Sequence, residues 1–230
     1  MTTTSKFLKS VKNHREGKVT EKFRGTLEDY LSLLEENPDI AVLAHKRLYR
    51  QIMSEGMTTL EESDPRCNKL FNGEPVKVYD YFASQFFGME GPLQKVMRFL
   101  HSAALKESRQ VLLLLGPVGA GKSALVEHIK GALEACDPIY VIEGCPIREE
   151  PLHLVPRSLR EEFTEMYNIK IEGDLCPVCR HRLINEYDGD YTKFPITQTS
   201  FSVRGRKGVG VVPPMDPNTQ DTSLLIGSED

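Results

Sequence analysis

No apolar run in this 230-residue sequence approaches the ~20 residues that a membrane-crossing helix needs, and the N-terminus has no apolar core of the secretory kind. Both absences point to a cytoplasmic protein with no membrane partner. Cysteine is scarce: five residues, an odd count, fit reduced thiols better than a disulfide frame. Charge of either sign is not in large excess, and a net −4 speaks against nucleic acid as the main partner. Only the first 25 residues depart from this. There Lys6, Lys9, Lys12, Arg15, Lys18, Lys22 and Arg24 face only Glu16 and Glu21, which reads as a solvated basic arm.

What remains is an ordinary globular composition, 40% hydrophobic and 27% charged, in a length suited to one large domain or two small ones. Within it lies one clear phosphate-binding pattern. An unbroken apolar run, residues 111–115, leads into Gly116, Pro117, Val118, Gly119, Ala120, Gly121, Lys122 and Ser123. Leu125, Ile129 and Leu133 then continue at helical spacing. This predicts a buried strand, a glycine loop and a helix, the setting that the Walker A pattern G-x-x-x-x-G-K-[ST] requires. Gly116, Gly119 and Gly121 are expected to take backbone angles closed to other residues, so that successive N–H groups face one anion. The helix start adds unpaired donors and the positive end of its dipole. Lys122 is expected to reach the β- and γ-phosphates of ATP, and Ser123 to offer its hydroxyl to Mg²⁺.

Upstream, Thr26 followed by Asp29 predicts a capped helix over 26–36, broken by Asn37 and Pro38, with a second helix from there to Gly56. The two are expected to pack as a hairpin in a small helical N-terminal region, residues 1–75. A turn-rich link and an amphipathic helix opening at Gly91 and Pro92 precede the Walker run. Ile139, Tyr140, Val141 and Ile142 read as the next strand, parallel to the first through a right-handed crossover. The fold expected is therefore α/β: an AAA+-like P-loop NTPase with a parallel sheet core, incomplete, over residues 76–230. Beyond 145 the pattern weakens to a helix near 157–167 and two short strands joined by a basic turn within 201–212. No later apolar strand ending in Asp or Glu supplies a second, magnesium-placing acidic site, and no arginine finger can be located. Catalytic residues are not assigned.

FFGMEGPLQKVMRFLHSAA, GPVGAGKS, EGCPIREEPLHLVP, LCPVCRHRL and VPPMDPNTQDTSLLIGSED together resemble the PrkA-type bacterial serine protein kinases, in their N-terminal AAA+ portion. The resemblance covers most of the chain. It implies that Gly116 to Ser123 hold the phosphates and that Phe87, Gly88 and Met89 lie near the adenine. It implies a longer protein, of which this chain is an N-terminal part, that transfers phosphate from ATP to protein serines and assembles into homo-oligomers. The alternatives are a regulatory module assembled by ATP and the AAA+ part of an ATP-dependent protease or unfoldase. No Ser-Lys dyad stands out.

Arg180, His181, Arg182 and Leu183 imitate the start of a kinase catalytic loop, but Leu183 occupies the place of the catalytic Asp. The glycines at 205, 208 and 210 are in the wrong order for a kinase nucleotide loop. Arg204, Arg206 and Lys207 make that segment a basic turn suited to a partner or substrate. Cys176 and Cys179 form one Cys-x-x-Cys knuckle, which reads as half of a zinc site completed by His181, Cys145 or His153, as a tight turn with free thiols, or as a redox pair.

Overall fold

The computed structural model describes residues 23–71, 75–106 and 111–212. Most of the basic arm and the VPPMDPNTQDTSLLIGSED motif lie outside these residues.

Strand β1 (Arg24–Gly25) leads into helix α1 (Leu27–Glu36), whose start is a reciprocal cap. The Thr26 N–H donates to Asp29 Oδ2 at 2.7 Å, and the Asp29 N–H reaches back to the Thr26 hydroxyl at 3.5 Å. Asn37 and Pro38 end it, as its sequence predicts. The second expected helix divides into a 3₁₀ turn, Pro38–Ala41, and helix α2 (Ala44–Ser54). Strand β2 (Met57–Leu60) follows, then the short helix α3 (Pro65–Leu70), strand β3 (Val76–Tyr79) and helix α4 (Asp80–Ala83). The long helices α5 (Glu90–Lys106) and α6 (Lys122–Glu134) flank the glycine loop. Strand β4 (Ile139–Ile142), helices α7 (Arg160–Tyr167) and α8 (Pro177–Asn185), and strand β5 (Ile196–Thr199) complete the order.

These elements form two compact units, and neither is one continuous stretch. The chain passes between them after Ala41, Asp137 and Thr199. One unit, Met1–Ala41 with Pro138–Thr199, holds an antiparallel sheet in the order β1-β5-β4, with Ile142 opposite Ile196 and Gly25 also opposite Ile196. Its core gathers Tyr30 and Leu34 of α1, Ile142, Leu154, Phe194 and Ile196. Tyr140 packs edge-on against Phe23 and tilted against Tyr30, both ring centroids within 5.3 Å.

The other unit, Val42–Asp137 with Ser200–Asp230, pairs β2 with β3 as an antiparallel ribbon, Met57 opposite Tyr79 and Leu60 opposite Val76. Helix α2 packs on α5 and α6. Ile52, Phe82, Phe86, Met97 and Leu125 are among its core residues. Helices α1 and α2 contribute to different cores, α1 through Tyr30 and Leu34 and α2 through Ile52.

The sheet also corrects the sequence reading. The protein is mixed α/β, but every strand pairing among the described residues is antiparallel, and β4 pairs with β5. The apolar run 111–115 carries no strand, and Val111, Leu113 and Leu115 are 92%, 73% and 84% exposed. An apolar run becomes a buried strand only when neighbours cover both faces and both edges; here none of the described strands pairs with it. The segment 201–212 differs as well. Instead of two strands it makes a tight turn closed by one bridge, Ser202 to Lys207, with Phe201 tucked beneath Gly208.

Candidate functional site

The glycine loop ends at Gly121, which caps α6 with φ 75° and, having no side chain, gives its first turn no capping acceptor. The opening N–H groups of the helix are therefore left to an external anion. Gly119 shares the left-handed conformation at φ 82°, and a Cβ there would meet nothing within 4 Å, so the loop has room beside it. Gly116 does not need that freedom. Its φ is not positive, and an added Cβ would make only ordinary contacts, 3.6 Å from Ala120 Cβ and 3.9 Å from Lys122 Cδ.

Lys122 folds back over the loop, its Nζ donating to the carbonyls of Gly116 at 2.8 Å and Pro117 at 2.6 Å. The ammonium is thus held at the rim of the loop by two exposed carbonyls, which water can replace at little cost. Ser123 is exposed on the first turn. Met89 lies alongside, its Sδ 3.7 Å from where a Cβ of Gly121 would sit. Gly88 turns the chain with φ 69°, and Phe87 projects outward, 81% exposed. The structure therefore brings Met89 to the loop and leaves Phe87 free.

One pair that the sequence does not reveal anchors the loop's helix. The Tyr81 hydroxyl donates to the His128 carbonyl at 2.7 Å, and His128 Nε2 lies 2.8 Å from the Tyr81 carbonyl. A carbonyl only accepts, so Nε2 carries the proton.

The second cluster of chemical groups belongs to the other unit. The ligand atoms of Cys145, Glu149, Cys176 and Cys179 all lie within 4.8 Å of one another. Cys176 caps α8, its Sγ accepting the Cys179 N–H at 3.3 Å; Cys145 Sγ accepts the Glu149 N–H at 3.4 Å. The tight loop that follows β4 closes with the Ile142 N–H donating to the Glu149 carbonyl at 2.9 Å, which turns Cys145 and Glu149 to the same side. Glu149 Oε1 accepts the Cys176 N–H at 2.8 Å and faces His153 Nδ1 at 3.0 Å. His153 Nε2 donates to the Glu172 carbonyl at 2.8 Å. Burial raises the Cys176 thiol above its ordinary range; burial, then contact with Cys145 and Cys176, raises that of Cys179 further.

Of the three residues that the spacing offers as partners to the Cys-x-x-Cys pair, Cys145 joins it directly and His153 stands one step away, behind Glu149. His181 is exposed on α8, its carbonyl accepting from Asn185. Glu149 escapes sequence reasoning because a carboxylate in a charged stretch reads as surface; its position four residues after Cys145 is the available signal.

A glycine loop at an uncapped helix start, with a lysine on the first turn, is the arrangement of the P-loop class of nucleotide-binding proteins. The chain belongs to the PrkA AAA domain family, whose model matches residues 25–230. It is 38% identical over 231 residues to the "ATP-dependent protease PrkA" of Bacillus subtilis (strain 168), covering 97% of this chain and 34% of that protein. It is 30% identical over 214 residues to the "Serine/threonine kinase YeaG" of Escherichia coli (strain K12), covering 89% of this chain and 33% of that protein. The chain thus spans about one third of the length of these relatives. No solved structure matches it. Membership in an AAA domain family makes it an ATP-binding protein. Among the described residues no helix is long and apolar enough to cross a membrane.

Proposed function

We propose that this chain is the Mg²⁺-ATP-binding part of a longer PrkA-type protein that transfers phosphate from ATP to serines of a protein substrate. The observation that carries the nucleotide reading is the pair of left-handed glycines, Gly119 and Gly121, opening onto the uncapped start of α6. In this reading the loop from Gly116 to Ser123 holds the phosphates through its N–H groups. Lys122 exchanges its two carbonyl partners for phosphate oxygens, as a compact cation on a flexible stem can. Ser123 supplies a hydroxyl to Mg²⁺, and Phe87, Gly88 and Met89 border the adenine. The bound ATP supplies the transferable phosphoryl group.

The same loop serves a second reading, favoured by the name of the relative with 38% identity: an ATP-driven module of a protease, assembled with copies of itself. The basic turn with Arg204, Arg206 and Lys207 would then meet the protein substrate, and its removal would stop degradation while sparing nucleotide binding.

The first test is Lys122→Ala. The unaltered protein is expected to unfold at a higher temperature with Mg²⁺-ATP than without it, since a ligand bound only to the folded state stabilises it by mass action. The variant should lose that increment; an undiminished increment would remove the nucleotide reading. Phosphate transfer to serine, against ATP-dependent loss of an unfolded protein, then separates the kinase from the protease in the longer protein.

A further inference from the structure

We propose that Cys145, Cys176, Cys179 and Glu149 form a tetrahedral zinc site that fastens the loop after β4 to the start of α8. The four donors come from two short stretches, Cys145 with Glu149 and Cys176 with Cys179, and their ligand atoms converge within 4.8 Å. Zinc–sulfur bonds of about 2.3 Å at tetrahedral angles place two sulfurs about 3.8 Å apart. Cys145 Sγ and Cys176 Sγ are 3.8 Å apart.

Two further features point to a cation. First, the sulfurs of Cys145 and Cys176 each accept a backbone N–H, from Glu149 and Cys179, which fixes where the two sulfurs point. Second, the Glu149 side chain is 1% exposed, although a buried carboxylate is costly unless it is paired or bound to metal. Its Oε1 is occupied by the Cys176 N–H and His153. Its Oε2 faces the thiol cluster, 3.9 Å from Cys145 Sγ. A dication among the three sulfurs would give that oxygen a partner.

The donor set also selects among occupants. Thiolates favour zinc over magnesium or calcium, and four protein ligands leave no open position, so the site is structural rather than catalytic. Three thiolates and a carboxylate around Zn²⁺ sum to −2, and His153, its Nδ1 3.0 Å from Glu149 Oε1, fixes the carboxylate's orientation. The thiol protons pass to solvent as the metal binds. A disulfide explains less. The five described cysteines are free, pairing two of the three leaves one over, and Glu149 Oε2 would keep only its long approach to sulfur.

The test uses the whole chain, purified without chelator, and measures zinc by elemental mass spectrometry. The expected result is one zinc per chain. After removal of the zinc, a titration with Co²⁺ alone should produce the intense visible bands and near-ultraviolet thiolate charge transfer of a tetrahedral, sulfur-rich site. Cys145→Ser, Cys176→Ser and Cys179→Ser should each abolish those bands, and Glu149→Gln should weaken binding. His153→Ala should weaken it ~10–100-fold, as loss of an orienting partner does, and His181→Ala should leave it unchanged. If the serine variants fail to fold, the cobalt spectrum of the unaltered protein decides alone. Zinc below about a tenth per chain with no thiolate–cobalt bands overturns the proposal. So does a disulfide between any two of the three cysteines in protein isolated under thiol trapping.

Discussion

Tyr81 and His128 each bind the other's backbone: the Tyr81 hydroxyl donates to the His128 carbonyl at 2.7 Å, and His128 Nε2 donates to the Tyr81 carbonyl at 2.8 Å. Their rings lie 4.4 Å apart between centroids, with Phe82 and Phe86 also against His128. The helix that begins at Lys122 is thereby tied to α4 about two turns beyond the loop. Tyr81→Phe removes one hydrogen bond and leaves the His128 carbonyl, already bonded within its helix, short of one partner. The expected loss is about 1 kcal/mol of stability, read from urea unfolding, with the nucleotide-dependent increment retained. A loss of the increment at unchanged stability would contradict an anchoring role.

The glycines of the loop should separate by conformation. Gly121→Ala forces a side chain into a left-handed φ of 75°, at a cost of about 1 kcal/mol or more, although the nearest atom, Met89 Sδ, is at an ordinary 3.7 Å. Gly116→Ala meets neither strain nor clash and should leave thermal stability nearly unchanged. The pair of melting temperatures without nucleotide checks this; a larger drop for Gly116→Ala would reverse the assignment.

At the start of α3, Asp64 accepts from both the side chain and the backbone of Arg66. The Arg66 side chain first, then its backbone N–H, hold the Asp64 carboxyl down to about 2. Because the folded value lies below the unfolded one of ~3.9, the contribution is fully present above that pH and is lost as pH falls toward 2. Asp64→Asn should therefore lower stability near neutrality and flatten the acid side of the profile, the two proteins converging as pH falls toward 2. Urea midpoints at pH 5, 3 and 2 would show it, and parallel profiles for the two proteins would refute it.

Local chemistry was legible in the sequence where a few neighbouring residues decide the outcome. Thr26 with Asp29 announces α1, and Gly121 with Lys122 announces α6, because caps and left-handed glycines act within one turn. Cys176 and Cys179 announce half a cluster. What was not legible depends on residues far along the chain. The run from Ile139 to Ile142 reads alike for parallel and antiparallel pairing, and only β5, some fifty residues later, settles it. β5 itself, with Thr197 and Gln198 between apolar neighbours, is too polar and short to stand out from a loop. Glu149 joins the thiols only because the turn after β4 reverses direction.

The apolar run before the glycine loop gives the sharpest test of that distinction. If residues 111–115 were a buried strand, truncating Leu113 would cost 2–5 kcal/mol by the usual figure of about that size for a core leucine. In this chain Leu113 is 73% exposed, so Leu113→Ala should change stability by no more than ~0.5 kcal/mol. Leu125, 4% exposed on α6, is the internal control, and Leu125→Ala should cost about 2–5 kcal/mol. Equal losses for the two variants would mean that the run is covered in solution, by a neighbour or a second copy. A loss confined to Leu125 would mean that the phosphate loop is carried by α6 and its anchors alone.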